Sequence, residues 1–189
     1  MSQIISLPTM LMIGGSGRNV GKTTLICAIL RKFASANSII GLKVTGIRPG
    51  EEDSHGHHTH PLTENYSIVQ ESGENIRKDT AKMLQAGARK VYFIQSTDEQ
   101  LPLAMKSFFE LEDRNSIIIC ESRGLRHLLK PGVFILISNP AHTNLKSKNV
   151  EFVKYANLHL QFDSENHTME TNADKVNIEN GMWQLIDKK

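Results

Sequence analysis

Cysteine is scarce. The two present, Cys27 and Cys120, lie far apart with no C-x-x-C spacing, which argues against a disulfide framework or a cysteine-built zinc site. Both fall in apolar runs and are expected in the core. An excess of one charge is lacking too: 22 Lys and Arg against 20 Asp and Glu leave a formal net charge of +2, so nothing global points to nucleic acid or an anionic membrane as partner. No window approaches the roughly 18 consecutive apolar residues of a membrane-spanning helix. The opening text MSQIISLPTMLMIGGSG has neither a basic leader nor a long apolar centre, so no signal peptide is expected and a cytoplasmic setting fits. There is no internal repeat, and no G-x-S-x-G elbow to suggest serine hydrolase chemistry.

What is there is a chain of 189 residues, enough for one domain with an ordinary core. Short apolar runs alternate with amphipathic stretches, the pattern of βαβ units in a mostly parallel sheet. Strands are expected at Thr9–Gly14, Ile39–Val44, Val91–Ile94, Ser116–Cys120 and Val133–Ile137. The last two are apolar on both parities, as interior strands covered on both faces would be. Helices are expected over TTLICAILRKFA, over IRKDTAKMLQAG with Ile76, Thr80, Met83 and Leu84 inward and Gly87 as stop, and over DEQLPLAMKSFFELED with Leu101, Ala104, Met105, Phe108 and Leu111 inward. Between Thr45 and Asn75 periodicity collapses into a long loop, of the kind that is functional or disordered. Past Ser138 the text turns polar. There LHLQF and KVNIENGMWQLI, turning at Asn180-Gly181, read as a small antiparallel appendage. The whole is read as a single domain, with a core over 1–138 and a polar extension over 139–189.

The most informative stretch is GGSGRNVGKTT, because it joins an expected strand to an expected helix, where a phosphate-binding loop must sit. The G-x-x-x-x-G-K-[ST] pattern anchored on Gly21, Lys22 and Thr23 wants glycine at position 16, where serine stands. Glycines flank it at 15 and 17, so the loop can start at Gly15 with one extra residue. Small residues let backbone amides converge on phosphates, and the helix opening at Lys22 adds its positive end. Gly15, Ser16, Gly17, Arg18, Asn19, Val20, Gly21, Lys22, Thr23 and Thr24 are the expected binders of ATP or GTP. Lys22 would place a cation between the β- and γ-phosphates, and Thr23 a hydroxyl on Mg²⁺.

Such sites also use an acidic residue at a neighbouring strand end. Glu121, in IIICESRG, is best placed to hold Mg²⁺; Asp79 and, in the long loop, Asp53 are further candidates. No N-K-x-D element reads guanine. Asn139 stands after a strand, either near a base or simply starting a turn before Pro140. His55, His57, His58 and His60 cluster beside Glu51, Glu52 and Asp53. Three readings fit them: a solvated surface loop, a switch over nucleotide or partner, or a Zn²⁺, Ni²⁺ or Cu²⁺ site.

Taken in order, GGSGRNVGKTTL, LKVTG with the histidine-rich loop, RKDTAKMLQAGARKV and IIICESRG resemble the B-type proteins of molybdopterin-guanine dinucleotide biosynthesis. These are small P-loop proteins related to dethiobiotin synthetase, MinD and the signal-recognition GTPases. The likeness covers roughly residues 9–138; Arg123-Gly124 and Ser16 depart from it. It implies a three-layer α/β P-loop NTPase, commonly a homodimer, that binds GTP with Mg²⁺, turns it over slowly and assists a partner enzyme of cofactor biosynthesis. It also implies that Lys22, Asp79 and Glu121 carry the chemistry. The alternatives are a small-molecule kinase or ligase of the dethiobiotin synthetase type, and a histidine-rich metallochaperone GTPase.

Overall fold

The computed structural model describes residues 4–47, 66–139, 151–162 and 169–186. Its centre is a seven-stranded sheet in the order β3-β4-β2-β5-β1-β6-β7. The strands are β1 (Ile5–Gly15), β2 (Ile39–Gly46), β3 (Tyr66–Gln70), β4 (Lys90–Ser96), β5 (Ile117–Glu121), β6 (Leu129–Ser138) and β7 (Leu158–Gln161). All neighbours run parallel except the β3–β4 pair.

Helices α1 (Lys22–Phe33) and α2 (Asp79–Gln85) cover one face and α3 (Leu101–Leu111) the other. The period-two alternation of the strands divides the apolar residues accordingly. Leu11, Ile13, Ile39, Val91, Ile119 and Ile135 pack under α1 and α2. Met10, Met12, Ile40, Leu42, Ile94, Ile118 and Phe134 pack under α3. Cys27 and Cys120 are both buried, one in each core. The strands β8 (Val176–Glu179) and β9 (Met182–Leu185) form the expected hairpin, with Asn180 and Gly181 both at positive φ, 51° and 74°. Trp183 anchors that hairpin beneath α1: its Nε1 donates to Ile118 O at 3.0 Å, and its ring meets Phe33 edge-on at 5.7 Å.

Four expectations need correction. The long stretch after Thr45 is not all loop, because Tyr66–Gln70 joins the sheet as an antiparallel edge strand. LHLQF belongs to the main sheet, where β7 pairs in parallel with β6, rather than to the appendage. Ile76 precedes α2 and is 63% exposed, and Leu111, at the end of α3, is 59% exposed. Ile76 lies before the helix begins, where apolar spacing no longer marks a face, and Leu111 sits in the last turn of α3, where the helix runs out of the sheet's cover. Among the described residues, no helix is long and apolar enough to cross a membrane.

At the end of the sheet where β4 begins, Glu112 (6% exposed) accepts from Tyr92 Oη at 2.6 Å, Lys90 Nζ at 2.7 Å and Arg89 Nη2 at 2.9 Å. Burial would lift its carboxyl, but the hydrogen bonds from Lys90 and Tyr92 and the charges of Lys90 and Arg89 outweigh it and hold the group below the usual glutamate range. Glu112→Ala strands a buried tyrosine hydroxyl and two cations that can still turn to water, so a loss of about 2–3 kcal/mol is expected in urea denaturation at pH 7. A carboxyl whose folded value is depressed contributes stability above its unfolded pKa and loses it as pH falls through the folded value. The gap between wild type and variant should therefore close in acid.

Candidate functional site

Strand register assembles the site. Lys43 on β2 lies beside Glu121, the last residue of β5, and Glu121 lies beside Ile13 of β1. All three therefore point to the face covered by α1 and α2, at the carboxyl ends of parallel strands, where open α/β sheets bind ligands. From Gly15 the chain turns into the loop that leads to α1. Ser16 N donates to Ile137 O at 2.9 Å, and Ser16 Oγ accepts from Asn139 N at 3.2 Å, tying the loop to the end of β6. Asn139 thus meets the loop through its backbone. Asn19 and Gly21 take left-handed conformations, φ 56° and 80°. Gly21 caps α1 without any side-chain hydrogen bond, which leaves the first-turn amides for an anion.

The two flanking glycines are not equivalent. A Cβ at Gly15 would come within 2.8 Å of Val20 Cγ2 and 2.9 Å of Lys22 Cδ, whereas one at Gly17 would meet nothing within 4 Å. At Gly21 it would lie 2.7 Å from Met169 Cγ, on a backbone that favours glycine. Gly21→Ala is therefore expected to cost about 1–2 kcal/mol in thermal denaturation, and Gly17→Ala no more than about 0.5 kcal/mol. Equal losses at both positions would contradict this geometry.

Lys22, Thr23 and Glu121 converge. Thr23 Oγ1 donates to Glu121 Oε2 at 2.9 Å, Lys22 Nζ lies 3.9 Å from Glu121 Oε1, and the same amine donates to Gly17 O at 2.9 Å, folded over the loop. Burial pulls the Lys22 ammonium below the ordinary lysine range, and Lys43 and Arg123 push the same way against Glu121 and Asp79. Asp79 opens α2 and binds Lys43 Nζ at 2.7 Å; Lys43 also sits 3.8 Å from Glu121. Burial alone would raise the Asp79 carboxyl, but the bond and charge of Lys43, with Lys82 behind them, hold it below the usual aspartate range.

A cleft of about 850 Å³ opens over this centre, lined by Arg18 to Thr24, Lys43, Thr45, Phe93, Glu121, Phe162 and the start of α2. A second, of about 620 Å³, opens on the α3 side and shares Arg18, Lys22, Lys43, Thr45 and Glu121 with the first; Asp98, Ser122, Arg123 and His127 line its far wall.

The structure thus brings together Lys22, Thr23, Asp79 and Glu121, separated by up to a hundred residues of chain. Thr24 lies exposed on the first turn of α1, and Arg18 lies exposed at the cleft. Asp53, His55, His57, His58 and His60 lie outside the described residues. Among the described residues no group of three or more His, Cys, Asp or Glu side chains is placed to hold a metal ion. Lys43 is the site residue that sequence reasoning missed. Its signal was a single charge inside the apolar run IIGLKV, which marks a strand end facing something other than core. Phe162 was missed as well, because nothing local distinguishes it from an ordinary strand-end aromatic.

No known protein family matches the sequence, and no curated protein matches it. Among solved structures the chain is similar to LpxK from Aquifex aeolicus, in the crystal form described as apo LpxK in complex with ATP. The TM-score is 0.52 at 15% identity, over 88% of this chain and 52% of that one. The chain therefore spans about half the length of that protein, and at this identity the likeness concerns the fold. The protein has a P-loop-like α/β fold, with a mostly parallel seven-stranded sheet between helical layers and a small C-terminal β-hairpin.

Proposed function

We propose that the protein binds a nucleoside triphosphate with Mg²⁺ at the loop from Gly15 to Thr24 and cleaves its terminal phosphate slowly. The observation that carries this reading is the contact of Thr23 Oγ1 with Glu121 Oε2, 2.9 Å, beside a desolvated Lys22 at the opening of α1. One hydroxyl and one carboxylate form an all-oxygen donor set that suits Mg²⁺ completed by phosphate oxygens. When bound, the ion supplies charge neutralisation at the β- and γ-phosphates. Lys22 leaves Gly17 O to reach those phosphates, the loop amides hold them, and Asp79 keeps Lys43 aimed at the γ end. The likeness to a protein described in complex with ATP supports the same reading. Titration of the full chain with fluorescent GTP and ATP, with and without Mg²⁺, tests it. Mg²⁺-dependent binding of at least one is expected, and no binding of either removes the proposal.

The resemblance to the B-type proteins of molybdopterin-guanine dinucleotide biosynthesis is what favours GTP as ligand, a homodimer, and a role as adaptor to a partner enzyme in that synthesis. A second reading, transfer of phosphate to a small acceptor, is favoured by the second cleft, which opens from the same Lys22–Glu121 centre. Stimulation of phosphate release by a protein partner supports the adaptor. Appearance of radiolabelled phosphate in a small molecule supports the kinase.

A further inference from the structure

We infer that Phe162 is the platform on which the base of the bound nucleotide lies, a subsite built by the C-terminal part of the chain. The inference rests on nucleotide binding at the phosphate loop. Sheet order gives the direction of the ligand. Thr23 with Glu121 on β5, and Lys43 on β2, mark the γ end, on one side of β1. The nucleoside must then leave on the other side of β1, over β6 and β7, where Phe162 follows the last residue of β7. From β5 to β7 is three strand spacings, about 14 Å, which leaves room for triphosphate and ribose between the two.

Phe162 is held where such a platform needs to be. Its N–H donates to Ser138 O at 2.7 Å, fastening it to the end of β6, and its ring packs against the core under α1 while lining the larger cleft. The ring edge lies so close to the loop that a Cβ at Gly21 would stand 3.3 Å from Phe162 Cδ2. The other aromatic of this cleft, Phe93, stands at the opposite end, where it is the strand neighbour of Lys43. An aromatic face accepts any base by stacking, so this subsite adds affinity without demanding a particular donor pattern.

The test compares GTP, ATP and inorganic tripolyphosphate, each with Mg²⁺, on wild type, Phe162→Ala, Phe162→Leu and Phe162→Tyr. The leucine variant keeps apolar packing against the core if alanine unfolds the chain. Both nucleotides are expected to bind Phe162→Ala or Phe162→Leu about tenfold more weakly, with tripolyphosphate unchanged and Phe162→Tyr close to wild type. Equal weakening of tripolyphosphate overturns the inference, because the ring would then act only by bracing the loop. Unchanged nucleotide affinity overturns it as well, while the phosphate site stands. Wild type that binds neither nucleotides nor tripolyphosphate removes the phosphate site and this subsite together.

Discussion

Lys22→Ala is expected to weaken binding of a Mg²⁺–nucleoside triphosphate by about 100-fold while leaving the fold as stable as wild type or more so. The loss follows from removing a charge-assisted hydrogen bond to phosphate in a partly desolvated cleft, worth about 1.5–3 kcal/mol for the bond alone. The stability follows from the surroundings that the protein itself gives this amine. Burial depresses the Lys22 ammonium, and of its charged neighbours Lys43 and Arg123 repel it while Glu121 and Asp79 attract it. The folded chain therefore holds that proton less tightly than the unfolded chain does, and carries a penalty for the charged form at neutral pH. As pH rises through the lowered folded value the amine loses its proton and the penalty fades. Alanine should gain most over wild type near neutrality, and the two curves should converge in alkali. Calorimetric titration and urea denaturation at pH 7 and pH 10 measure the two halves separately. A clear drop in stability at pH 7 with affinity intact would show that this lysine serves the fold.

Glu121→Gln should act on turnover. Glutamine keeps the shape and an oxygen for the Thr23 hydroxyl, but removes the negative charge that faces both Lys22, 3.9 Å away, and Lys43, 3.8 Å away. Loss of one preorganised charge at a phosphoryl-transfer centre costs on the order of 100–1000-fold in rate. The Mg²⁺ concentration needed for half-maximal activity should rise about tenfold or more, since a carboxylate in the donor set becomes a neutral amide. Nucleotide affinity without metal should hold or improve, because a negative charge that would repel the phosphates and that offsets both lysines is gone. Steady-state phosphate release against Mg²⁺ concentration reads this directly. An unchanged metal dependence would mean that Glu121 only positions Thr23 and the lysines.

Local chemistry made part of this legible. The apolar run before Gly15, the small residues after it and the Lys22-Thr23 pair are contiguous, so strand, loop and helix start could be read together. The both-parity apolar runs of β5 and β6 announced interior strands, and Glu121 could be singled out because it ends one of them. Asn180-Gly181 specified its turn through backbone conformation alone. The edge strand β3 escaped because Tyr66–Gln70 is half-exposed and mixed in composition; its partner β4 supplies the bonds that make it a strand. β7 was legible as a strand but was assigned to the appendage, because which sheet a four-residue segment joins is decided by its pairing with β6 at the sheet's edge.

The sequence by itself determined that a glycine-rich loop joins the first strand to a helix, that the sheet is mostly parallel, and that Lys22 and Thr23 share the turn opening α1, since all of these depend on short stretches of chain. Only the tertiary structure decided that Lys43 stands beside Glu121, that Asp79 closes onto that lysine, and that Phe162 lies against Gly21. Those are consequences of strand order and register, which a charge or a ring feels through space and a local stretch of text does not encode.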